Sequence, residues 1–200
     1  MNRLLFASAL VLSALVAGTF AASNRPPAPD ATAPSYDMKA QSLLDLERVQ
    51  QRFVDLTNAI PDDKLTWRPS PDARSFAEVM LHVASERYGI LGMMGAQPPA
   101  GFDGKTFEKS TTDKARIVED LNTSWEFAKK AIEGMTNAEF AKLLPKLGPQ
   151  ANAGDVVYIL VADAHEHLGQ AIAYARENGI VPPWTAAAKA KAAEKKAEQK

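Results

Sequence analysis

The chain has 200 residues, no cysteine, 46% hydrophobic and 24% charged residues, and a formal net charge of −1. That length can bury a real core as one domain, and the lack of cysteine excludes disulfides, Cys-ligated zinc and a thiol nucleophile. The near-neutral balance lacks the basic excess of a nucleic-acid binder, and a mean hydropathy of −0.21 is not that of a polytopic membrane protein.

The first segment reads as a secretory signal over residues 1–21. Arg3 is followed by an apolar run from Leu4 to Phe20 and then by the small residues Ala21, Ala22 and Ser23. An uncleaved anchor helix is the alternative, because the run approaches bilayer-spanning length; its Ala and Ser interruptions favour cleavage. The expected destination is the periplasm or the exterior of a bacterium, with no stable membrane insertion after cleavage. Residues 22–37 form a Pro/Ala linker without apolar period.

The first helix is predicted from Met38 to Ile60, where Leu43, Leu46, Val49, Phe53, Leu56 and Ile60 recur at steps of 3 and 4. Pro61 stops it, and Pro69 and Pro71 keep the next stretch non-helical. Ser75 followed by Glu78 is a capping-box pattern that opens a second helix. Its apolar face runs through Phe76, Val79, Met80, Val83, Ile90, Leu91 and Met94. Residues 96–111 read as a loop. A third helix starts near Thr112-Asp113 and carries Ile117, Leu121, Trp125, Ala128 and Ile132. Thr136 and Glu139 make another capping box for a short turn.

The last core helix is predicted from Ala153 to Asn178, with Gly179 as the residue just past its end. No segment alternates with period two. These elements make an all-α, up-down four-helix bundle over residues 38–184. The tail, residues 185–200, is rich in Ala and Lys, with five Lys against two Glu. It reads as disordered or as a frayed, solvated helix, since no apolar stripe exists to dock it. Without the tail and Arg3 the domain is mildly acidic, which weakens any nucleic-acid reading further.

The three histidines all fall on the second and last core helices. His82 sits at the edge of its helix's apolar stripe, with Glu86 one turn beyond. Asp163 and His167, at i and i+4, point the same way on the other helix, and Gln170 continues their row. His165 lies on the opposite side. If the two edges meet, His82, Asp163 and His167 converge on a set suited to zinc, nickel or iron(II), with water completing the shell. The bland alternative is ordinary boundary histidines, each bonded to a neighbour. Trp67 reads as a plug at one bundle end, Arg68 as the partner of a surface carboxylate, and Met93-Met94 as filler. Gly169, costly in mid-helix, predicts a close approach by another helix or a ligand.

Asp163-Ala164-His165-Glu166-His167-Leu168-Gly169-Gln170, followed by Tyr174-Ala175-Arg176, resembles the last helix of the DinB-like (DinB/YfiT) superfamily. Leu65-Thr66-Trp67-Arg68-Pro69, Arg74-Ser75-Phe76-Ala77-Glu78 and Leu81-His82-Val83-Ala84 resemble that family's entry into helix two. The resemblance implies a bundle with His82 and His167 as metal ligands. A third family ligand, a His, stands at the position of Asp163, so the site becomes His-Asp-His. It also implies two open readings. One is a metal-dependent transferase or hydrolase acting on an unidentified small molecule, with Glu86 as general base or orienting residue. The other is a non-enzymatic periplasmic binding or stress-related bundle with a degenerate site. Relatives are often dimers, which makes a homodimer an expectation; an interaction module built on the tail ranks last.

Overall fold

The computed structural model describes residues 37–199, so the segment read as a signal and nearly all of the linker lie outside the described residues. Six α-helices follow one another: α1 Met38–Ala59, α2 Phe76–Gly92, α3 Lys114–Glu133, α4 Asn137–Phe140, α5 Ala153–Glu177 and α6 Pro183–Glu198. There is no strand among the described residues, only an isolated bridge between Leu143 and Asn152. No described helix is long and apolar enough to cross a membrane.

Helix starts follow the local chemistry of unsatisfied N–H groups. Asp37 accepts from Ala40 N, and Asp113 accepts from Arg116 N. Ser75 and Glu78 exchange both bonds of a capping box, as do Thr136 and Glu139. A third box, Asn152 with Asp155, opens α5 and escaped the sequence reading. Burial opposes ionisation of Glu78, but the Ser75 N–H and Arg68 outweigh it and hold the carboxyl below its ordinary range. At the other end of α5, Gly179 takes φ 74°. Gly179 N then donates to Arg176 O and Ile180 N to Ala175 O, which satisfies two orphan carbonyls.

Each of α1 and α2 packs against both α3 and α5. Side-chain pairings give the sense of each helix. Lys39 reaches Met135 O and Gln50 reaches Asn122, so α1 and α3 are antiparallel. Phe76 faces Tyr174 and His82 faces His167, so α2 and α5 are antiparallel. His165 bonds Asp45 while Met38 shares a groove with Tyr158, so α1 and α5 run together. The all-α bundle is as expected, but its order is up, down, down, up rather than the expected up-down alternation. Parallel neighbours α2 and α3 need a connection as long as the bundle, and the segment after Gly92 supplies it. That crossover contains a 3-10 turn, Phe107–Lys109.

The expected apolar seams form the core. Phe53, Leu56, Met80, Leu81, Leu121, Ile132 and Leu160 are fully enclosed, each contributing about 1.5–3 kcal/mol by leaving water. Trp125 is buried as expected, and Met94 packs against the core, but Met93 stands 49% exposed rather than filling space. The most deeply buried charged residue among those described is Arg87, 3% exposed, which donates to Leu121 O at 2.7 Å, Ser124 Oγ at 3.0 Å and Gln50 Oε1 at 2.7 Å. Burial lowers its pKa to about 10, so it stays charged at neutral pH. The tail is helical from Pro183, and α6 buries no residue fully. Trp184 is its partly buried foot, with Arg52 5.3 Å over the ring.

Gly169 departs from its expectation. A Cβ built there meets no other atom within 4 Å, so no helix approaches it; the position is on the exposed side of α5. Gly169→Ala should therefore stabilise the protein by about 0.5–1 kcal/mol through helix propensity and a less disordered unfolded chain. Urea denaturation checks this; a destabilised variant would show that something occupies the space.

Candidate metal centre

The edges of α2 and α5 do meet. The rings of His82 and His167 lie 4.5 Å apart, edge to face at 87°. One nitrogen of each imidazole and one oxygen of Asp163 all fall within 4.8 Å of one another, a separation that bonds of about 2.0–2.2 Å to a shared ion come near to spanning. His82 and His167 are 8% and 9% exposed. The antiparallel run of α2 and α5 brings this about: residues spaced one turn apart on each helix form facing rows. His165 is turned away, exposed, and bound to Asp45 at 2.6 Å.

Each imidazole is held by its far nitrogen. His82 Nδ1 stands 2.7 Å from Glu108 Oε1. An ionised carboxylate only accepts, so Nδ1 carries a hydrogen, and in the neutral ring Nε2 is then the nitrogen with the lone pair. Burial works against the Glu108 charge, but Arg74 and His82 outweigh it and keep its pKa below the ordinary carboxylate value. Arg74 does so through two bonds, Nε to Oε2 at 2.7 Å and Nη2 to Oε1 at 3.2 Å. His167 Nδ1 donates to Gln170 Oε1 at 2.9 Å, and Gln170 Nε2 donates to the Tyr174 hydroxyl at 3.0 Å. Tyr174 is itself wedged against Trp67, 5.3 Å away edge-on, and Phe76. Trp67, read as a plug, thus backs the relay that aims His167. Arg68 pairs with Glu78 at 3.1 Å, the carboxylate partner expected for it.

On the near side, His167 Nε2 lies 3.3 Å from Asp163 Oδ1. The bond to Asp163 outweighs burial and holds the imidazole's pKa above its ordinary value. The pair therefore favours positive charge between them. Two imidazoles presenting Nε2, one carboxylate, and a hydrogen-bond acceptor fixing each ring are what a divalent ion requires of its surroundings. Three protein donors would hold such an ion and leave a position open.

The structure changes the part given to Glu86. Its Oε1 is 3.8 Å from His82 Nδ1, beyond a hydrogen bond, and its side chain is 36% exposed. Glu108 makes the orienting contact instead. Glu108 lies in the segment read as a loop, on the 3-10 turn, 26 residues from His82. No periodicity marks it; one of two acids, beside Phe107 in a glycine-bearing loop, is the signal the sequence offers.

The family described as the DinB superfamily matches residues 45–171. Among solved structures, the chain is similar to a DinB-like protein from Bacillus cereus, with a TM-score of 0.63 and 14% identity. The match covers 72% of this chain and 95% of that one. At that identity the likeness speaks for the fold. No curated protein matches.

Proposed function

This chain belongs to the DinB superfamily, and from there we propose that it is an exported metal-dependent protein whose His82, Asp163 and His167 hold one divalent ion, zinc, nickel or iron(II), for transferase or hydrolase chemistry on a small molecule. The observation that carries the reading is the pair of outward tethers. Glu108 and Gln170 take the Nδ1 hydrogens of the two imidazoles, so Nε2 is the nitrogen each ring has for a ligand, and an ion would displace the proton that His167 Nε2 shares with Asp163. When bound, a divalent ion supplies Lewis acidity that makes a nucleophile of water or a thiol at neutral pH. Glu86, open to solvent on the outward Nδ1 side of His82, would receive the released proton by way of water. Export rests on the sequence of residues 1–21. It disfavours thiol transfer, because reduced thiol cofactors are mainly cytoplasmic.

The presence of Asp163 where the family carries His favours a second reading, a non-enzymatic binding bundle. Elemental analysis of untagged protein purified without chelator decides between them. The metal reading expects one ion per chain and a higher melting temperature when zinc, nickel or iron(II) is restored to stripped protein. No ion, with an unmoved melting temperature for all three, leaves the binding bundle.

A further inference from the structure

The crossover between α2 and α3 borders a half-open pocket of about 460 Å³, and none of His82, Asp163 or His167 lines it. Its volume lies within the range of small-molecule sites. Three aromatic rings stand in its wall. The Tyr88 ring lies 4.7 Å from Phe102 and 6.3 Å from Phe107, and those two rings lie 5.2 Å from each other. Thr106, Ser110 and Thr123 add hydroxyls to the rim.

Tyr88 itself is 4% exposed, yet its hydroxyl bonds to none of the described residues. Among these residues no fully enclosed side-chain oxygen or nitrogen lacks a partner. The hydroxyl must therefore meet open space, and the space that Tyr88 lines is this pocket. Burial and the nearby Asp120 raise its pKa, so it remains a donor at neutral pH. The positive charge lining the pocket is already engaged. Arg116 holds Asp120 at 3.1 Å, and Asp103 accepts from Lys105 N and from the Thr106 hydroxyl. The one cation among the described lining residues, Arg116, is thus taken, and an anionic ligand would find no free counter-ion here.

We propose that this pocket binds a small, planar aromatic molecule that carries no negative charge and bears a hydrogen-bond acceptor. Its ring lies against Phe102 and Phe107, in the offset or edge-on manner that aromatic faces favour, and its acceptor takes the Tyr88 hydroxyl. The site stands apart from the metal reading and holds whether or not an ion is bound.

The test uses the full chain, isotopically labelled, with amide chemical shifts followed as four probes are added: acetophenone, toluene, benzoate and cyclohexyl methyl ketone. Acetophenone is expected to shift crossover and α3 amides saturably and to bind most tightly of the four. Tyr88→Phe, checked for an unchanged helical spectrum, should weaken acetophenone about 3- to 10-fold, the worth of one hydrogen bond, and leave toluene unmoved. Thr106→Trp, on the exposed rim, should block acetophenone. The proposal is overturned by non-saturable shifts, by benzoate or the cyclohexyl ketone binding as tightly as acetophenone, or by a Tyr88→Phe variant that holds acetophenone as well as the parent.

Discussion

In equilibrium competition against a chromogenic chelator, His82→Ala and His167→Ala are expected to lose the ion outright, while Glu108→Ala keeps it about 10- to 100-fold more weakly. Removing either imidazole leaves two donors, one of them the carboxylate of Asp163, too few to compete with the chelator. Glu108 would touch no ion. It acts by fixing which nitrogen of His82 carries the hydrogen and where the ring points. Without it, His82 also populates the tautomer and rotamers that do not ligate, and the ion must bear that cost. Glu108→Gln should fall between, since an amide oxygen still accepts from Nδ1 but Arg74 loses its charged partner. Equal affinity for Glu108→Ala and the parent would remove the orienting role. Equal affinity for His82→Ala would remove the centre itself.

Arg87→Ala should cost about 3–5 kcal/mol of stability in urea denaturation, more than most single changes in this chain. Truncation opens a cavity among α1, α2 and α3. It also strips a charged donor from Gln50 Oε1, Ser124 Oγ and Leu121 O, all three on buried residues. A buried acceptor left without its donor costs about 1–3 kcal/mol. Arg87→Met should lose less, because it fills the cavity and ends the desolvation of a guanidinium that burial already pulls down to about 10. A cost below about 1 kcal/mol for Arg87→Ala would mean that water replaces the guanidinium freely.

Much of the molecule was legible in its residues. Apolar spacing of 3 and 4 placed the core faces of α1, α2, α3 and α5, and Ser75 and Thr136 marked two helix starts because their capping bonds are local. His82, Asp163 and His167 could be nominated for the same reason: helical rows follow from spacing alone. Local chemistry also supplied a false lead. Gly169 looked like a point of close approach, but a glycine on an exposed helix side leaves the same trace in the sequence.

The rest depended on which helices became neighbours. The parallel pairing of α2 with α3 forces a long crossover, and the crossover brings Glu108 beneath His82 and Phe102 and Phe107 beside Tyr88. Helix spacing repeats within each segment, so one strand of sequence encodes its own faces. The partners of Glu108, Arg87 and Tyr88 sit on other elements, and only packing in three dimensions selects them.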